Sequence, residues 1–319
     1  MQSGFDRRKQ KSDPPVLIGP LQRIGICLFL LSLSMSFSSA AHAAGKTLEE
    51  AYYERAQALI KRNSYDEAAK LLLPICRKHP HNVDLLMELG DCYLKDTTNM
   101  ADSARQAEEC FTKAIKLDPE LGRAYCKMTE CASFKGKHEL AVKMATKALS
   151  VKRPDNQAYM ERADAYSRLH KDKEALADMD KFIALGNRTK LAYLRRASIL
   201  ESLRLYARAA SDYRIVQKTA FETNTAYLEA NCLDKINKTK EAITCLTELI
   251  TRYPEDDSAY EGRAKLRAKS GLFKEAIDDY TKAIQLVPSS AVLKARAHLY
   301  EKMGRKDLAA KDRKEAERI

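Results

Sequence analysis

Cysteine and histidine are the residues of this 319-residue chain whose side chains most readily do chemistry. Eight cysteines are present, seven of them beyond residue 43: Cys76, Cys92, Cys110, Cys126, Cys131, Cys232 and Cys245. A thiolate can attack, ligate a metal or form a disulfide, but each task demands a spacing. No pair here has the Cys-x-x-Cys spacing of a metal or redox site. The six histidines are His42, His79, His81, His138, His170 and His298. No two histidines stand at helical spacing from each other, so no histidine ligand pair is indicated. There is no glycine-rich phosphate loop, no Gly-x-Ser-x-Gly elbow and no His-Glu-x-x-His. The expectation is therefore no enzyme, no metal and no cofactor.

The elements that carry these residues recur. A bulky residue returns at Tyr52, Leu86, Tyr125, Tyr159, Tyr193, Tyr227, Tyr260 and Leu293, with spacings of 34, 39, 34, 34, 34, 33 and 33. A small residue follows in every copy: Ala68, Ala107, Ala141, Ala175, Ala209, Ala242, Ala276 and Ala309. Alanine fits where two helices cross closely. Leu72, Phe111, Met179, Tyr213, Leu246 and Tyr280 stand four residues later, on the same helical face. Proline closes several copies, at Pro80, Pro119, Pro254 and Pro288. Gly186-Asn187 is a left-handed stop for the fourth copy. The stretch from Lys218 to Asn224 has no such signal. The second copy carries Leu86, Leu89-Gly90, Tyr93, Ala107, Phe111, Ala114 and Pro119.

That pattern resembles the tetratricopeptide repeat, whose period is about 34 residues. The resemblance implies an all-α fold: a right-handed α-solenoid of about eight helix-turn-helix repeats spanning 49–319. The repeat bounds fall near 49–82, 83–121, 122–155, 156–189, 190–223, 224–256, 257–289 and 290–319. Thr47 to Glu50 reads as a capping box at the start. The charged segment Arg305 to Ile319 reads as a polar terminal cap. The excess spacing in copy two places an insertion within Asp96 to Met100, before Ser103 to Gln106, a second capping box.

Such proteins hold a peptide on a concave face lined by the first helix of each copy. The family's geometry assigns Glu50, Glu54, Asp84, Glu88, Asp91, Glu130, Glu161 and Asp164 to that face, opposed by Arg123 and Lys127. The same positions in copies five to eight carry Arg195 and Lys265 against Glu229. An acidic set within a basic chain favours a partner bearing Lys or Arg. One subclass grips the acidic tails of chaperones with Lys and Asn on first helices. Glu54, Glu88 and Asp91 occupy the corresponding region here, so tail capture is not implied.

The repeat also bears on the thiols. Cys92 and Cys131 occupy matching positions on adjacent first helices, and Cys232 and Cys245 lie on the two helices of copy six. Two readings stand: one or two disulfides in an oxidising compartment, or small buried hydrophobes. The second is taken as the expectation.

Residues 1–43 read as an address. Arg7, Arg8, Lys9, Lys11 and Arg23 precede an apolar run from Ile24 to Phe37, and Ala41-His42-Ala43 follows. Basic, apolar, small is the order of a cleaved secretory signal. The alternative is an uncleaved membrane anchor. The chain's 56 basic and 44 acidic residues become 51 and 42 without this segment, or +9. Those charges are spread over many helices and do not form a nucleic-acid patch. Two function classes follow. One is an exported scaffold, periplasmic or secreted, that binds a protein or peptide and meets the membrane only through its signal. The other is an assembly adaptor acting by self-association at the cell envelope.

Overall fold

A computed structural model describes residues 47–96 and 100–319. Residues 1–43, whose sequence reads as a signal, lie outside them, as do residues 97–99 of the predicted insertion. The described residues form sixteen helices in eight consecutive pairs. The first helices are α1 (Leu48–Lys61), α3 (Val83–Lys95), α5 (Gly122–Phe134), α7 (Gln157–Arg168), α9 (Lys190–Ser202), α11 (Thr223–Lys235), α13 (Asp257–Lys269) and α15 (Ser290–Lys302). Their partners are α2 (Tyr65–Lys78), α4 (Met100–Leu117), α6 (His138–Ser150), α8 (Asp172–Ala184), α10 (Tyr206–Thr219), α12 (Thr239–Arg252), α14 (Phe273–Leu286) and α16 (Lys306–Ala316). The fold is an all-α tetratricopeptide solenoid. No strand occurs among the described residues, only an isolated bridge between Leu121 and Arg153.

Residue contacts group the chain into two compact units, one ending at Cys110 and the other running from Phe111 to Ile319. In the first, Ala56, Ala68, Leu72, Cys76, Leu89, Cys92 and Cys110 form one apolar cluster. In the second, the repeating alanines Ala141, Ala175, Ala209, Ala242 and Ala276 have no exposed surface. A side chain longer than methyl there would push the two helices of its pair apart.

The turn inside a pair closes on a left-handed residue. Asn63, Gly136, His170, Arg204, Asn237, Gly271 and Gly304 all have positive φ at that place. At the end of α8, Gly186 has φ +96, as the sequence signal requires. The unsignalled junction after Lys218 is a bend at Ala220, with α11 beginning at Thr223. At the first helix, Thr47 Oγ1 accepts from the Glu50 N–H and Glu50 accepts from the Thr47 N–H, a complete capping box. The second predicted box is not formed. Helix α4 already begins at Met100, and Ser103 donates its hydroxyl to Asp96 at 2.9 Å. The side chain that reads as a cap in sequence instead reaches back to the end of α3.

Gly122 is needed for a different reason. Its N–H donates to Arg153 O at 2.9 Å, joining the start of α5 to the segment after α6. A Cβ at this position would lie 2.5 Å from that oxygen and 2.7 Å from Ala148 O.

Candidate partner-binding surface

The charged side chains of the second unit divide into two populations. One is buried and pairs within repeats. Arg162 on α7 holds Asp178 on α8 through two parallel hydrogen bonds of 2.7 and 2.8 Å. Arg196 holds Asp212 at 2.8 and 2.7 Å, and Arg296 holds Asp312 at 2.8 Å twice. Arg263 completes the set with Asp279. All four aspartates are buried.

Each guanidinium uses its remaining nitrogen toward the preceding repeat. The acceptors are Thr146, Asp180, Thr247 and Thr281, at 2.8 to 3.0 Å. Each also lies within 6 Å of a tyrosine ring, as Arg263 does over Tyr260 at 5.7 Å. The planar fork suits this triple role, which a point-charged lysine could not fill. These pairs escape a reading by charge type. Their signal is an arginine three residues after each anchor with an aspartate sixteen residues further on.

Copy six breaks the series, with Ala230 and Cys245 where the others have Arg and Asp. There the polarity is reversed: Arg214, on α10, donates to Glu229 on α11 at 2.7 Å. Glu229 is therefore not a groove residue. It is 4% exposed, and burial holds its carboxyl above the usual range while Arg214 pulls it down.

The second population lies on first helices. Glu130 is paired with Lys127 at 2.6 Å, and Asp164 with Arg195. Lys265 turns to Glu261 on its own helix. Glu161 accepts from Gln157 at 3.2 Å. In the first unit Glu88 accepts from the Tyr53 hydroxyl at 3.4 Å and from Gln57. Glu50 serves the α1 cap. Glu54, Asp84 and Asp91 lie on α1 and α3, with Glu54 and Asp84 exposed and Asp91 half-buried. Among the described residues, Asp84, Glu88 and Glu161 have no ion pair.

Glu161 and Asp164 border a cavity of about 540 Å³ on α5, α7 and α9 of the second unit. Three buried polar atoms around it have no hydrogen-bond partner: Ser133 Oγ, His138 Nδ1 and Ser167 Oγ. These three were not among the residues assigned from sequence, because nothing in their types marks them.

No disulfide joins the seven described cysteines. Six are buried, and burial pushes the Cys92, Cys232 and Cys245 thiols up to about 12. Among the described residues no cluster of three or more His, Cys, Asp or Glu is arranged to hold a metal ion. No described helix is long and apolar enough to cross a membrane.

Tetratricopeptide repeats are recognised at residues 49–92 and 227–291. Curated relatives include DnaJ homolog subfamily C member 3 of Gallus gallus, 23% identical over 236 residues, covering 72% of this chain and 42% of the relative. The Hsp70-Hsp90 organizing protein of Triticum aestivum is 29% identical over 189 residues, covering 57% of this chain and 32% of that protein. The chain thus spans less than half the length of these relatives. Among solved structures, Pseudomonas aeruginosa pilF superposes with a TM-score of 0.53 at 15% identity, covering 69% of this chain and 97% of that one. YrrB, a tetratricopeptide protein, gives 0.51 at 20% identity, covering 58% and 96%.

Proposed function

We propose that this chain is an exported scaffold whose first-helix faces hold a protein or peptide partner carrying a basic segment. The cavity on α5, α7 and α9 is the observation that carries this reading. A buried polar atom left unmatched costs about 1–3 kcal/mol. A bound chain offers one N–H and one C=O per residue, which can meet such atoms. The preference for a basic segment comes from Asp84, Glu88 and Glu161, which lack ion pairs while many arginines are committed to the buried series. The non-catalytic role fits the repeat fold. Chaperone-tail capture is not part of the proposal, despite the names of the relatives, because Glu54, Glu88 and Asp91 stand where a cationic grip would be needed. Export rests on the basic, apolar, small order of residues 1–43.

Two experiments test the proposal. The protein, purified from its own cells, is sequenced from the N-terminus; a start near Ala44 supports export, and an intact Met1 in a cytoplasmic fraction refutes it. Partners crosslinked to the parent are compared with those of Glu54→Gln, Glu88→Gln and Glu161→Gln combined. Loss of the same partners, with weakened capture by the parent at high salt, is expected. Identical partners and identical salt response reject the acidic face.

A further inference from the structure

The cavity between α5, α7 and α9 has two chemically different ends. Glu161 lies near the start of α7 and Arg168 at its last residue. Seven residues of helix separate them by ~10.5 Å along the axis. Neither has an ion pair among the described residues, whereas Asp164 and Arg195 between them neutralise each other. The three unmatched atoms belong to the Arg168 end by their place in the fold. Ser167 precedes Arg168, Ser133 holds the matching position on α5, and His138 opens α6 just after it.

Two hydroxyls, an imidazole nitrogen and a guanidinium form a donor-rich end. Each serine hydroxyl can donate one hydrogen bond, and either imidazole nitrogen can carry the proton. Donors of this kind meet an anion. A singly charged anion is favoured, since Glu161 shares the cavity and would repel a doubly charged phosphate more strongly. The opposite end, with Glu161, meets a cation.

We propose that this cavity receives a carboxylate of the bound peptide against Arg168, Ser133, Ser167 and His138, while a Lys or Arg of the same peptide meets Glu161. This rests on the groove reading above and deepens it: the partner segment is amphoteric rather than simply basic. An extended chain advances ~3.3 Å per residue and turns alternate side chains to opposite faces, so two charged residues that both face the cavity stand about four positions apart.

The test uses the full chain and fluorescein-labelled nonapeptides of Ser and Ala, amidated at the C-terminus. One set carries Lys and Glu four positions apart in each order; the others carry Lys alone or Glu alone. Anisotropy is expected to show the two-charge peptide in one order binding on the order of tenfold tighter than either single-charge peptide, the change one charge-assisted hydrogen bond makes. Arg168→Glu should abolish that gain, and replacing the peptide's Glu by Lys should restore it. Arg168 is exposed, so the fold should survive, as circular dichroism would verify; Ser167→Ala should weaken the same peptide without a charge change. If the Lys-only peptide binds as well as the two-charge peptide, and Arg168→Glu changes nothing, this inference is overturned and the groove reading stands. Saturable binding by no peptide overturns both. Tighter binding only of peptides with a free C-terminus, with the internal Glu dispensable, assigns the carboxylate to a chain end and overturns the side-chain assignment.

Discussion

Arg263 and Asp279 lie on the two helices of one repeat and are joined by hydrogen bonds of 3.0 and 2.7 Å, with side chains only 11% and 5% exposed. Asp279 also accepts from Arg267 at 2.7 Å. Two charges this far from water are tolerated because each satisfies the other's hydrogen-bonding capacity, not because the pair outweighs an apolar core.

Removing one partner is therefore expected to be far worse than removing both. Arg263→Ala leaves the buried carboxylate to Arg267 alone and strips it of two charge-assisted hydrogen bonds, which should destabilise the chain by about 1–3 kcal/mol. Arg263→Met with Asp279→Leu should recover most of that loss. Urea unfolding of the three proteins decides it. A double variant as unstable as the single one would show that the geometry, not the desolvated charge, is what the site requires.

Gly122→Ala tests the close approach at the start of α5. The added methyl meets two backbone oxygens, which cannot swing aside as a flexible side chain would. A loss of about 1–3 kcal/mol is expected, with hydrogen exchange accelerating first in α5 and α6. An unchanged melting temperature would mean that the backbone shifts there without penalty.

The thiols should be silent in the native protein. With Cys92, Cys232 and Cys245 pushed up to about 12, almost no thiolate exists at pH 8. Iodoacetamide labelling followed by peptide mass analysis should modify these positions only as urea unfolds the chain. Labelling of Cys92 in native buffer at the rate of free cysteine would contradict its burial.

Glu229 gives a pH signature. Its carboxyl lies above the ordinary value of 4.5, chiefly through burial. A carboxyl with a higher folded than unfolded pKa adds stability while protonated. That share is complete below the unfolded value and is lost as pH rises through the folded one. Glu229→Gln removes this titration, so from pH 4.5 upward the variant should gain on its parent. Urea midpoints at pH 4.5 and pH 7 measure it, and the same difference at both values would refute the assignment.

Much of the architecture is local and therefore legible in the chain. Each pair needs a small residue at its crossing, and that need repeats at every turn of the period, so Ala68 through Ala309 mark the helices by type and spacing alone. The Thr47–Glu50 cap is equally readable because both partners sit within one turn. The fate of the charges is not. Arg162 and Asp178 look like surface residues, and only the stacking of α7 on α8 removes them from water and commits them to each other. Glu229 looks like a member of the acidic face until the loss of the Arg–Asp pair in copy six lets Arg214 claim it. Ser133, His138 and Ser167 have no distinguishing pattern. Whether their polar atoms are matched depends on neighbours tens of residues away, and hydrogen-bond satisfaction is a property of three-dimensional packing, which residue type and spacing do not encode.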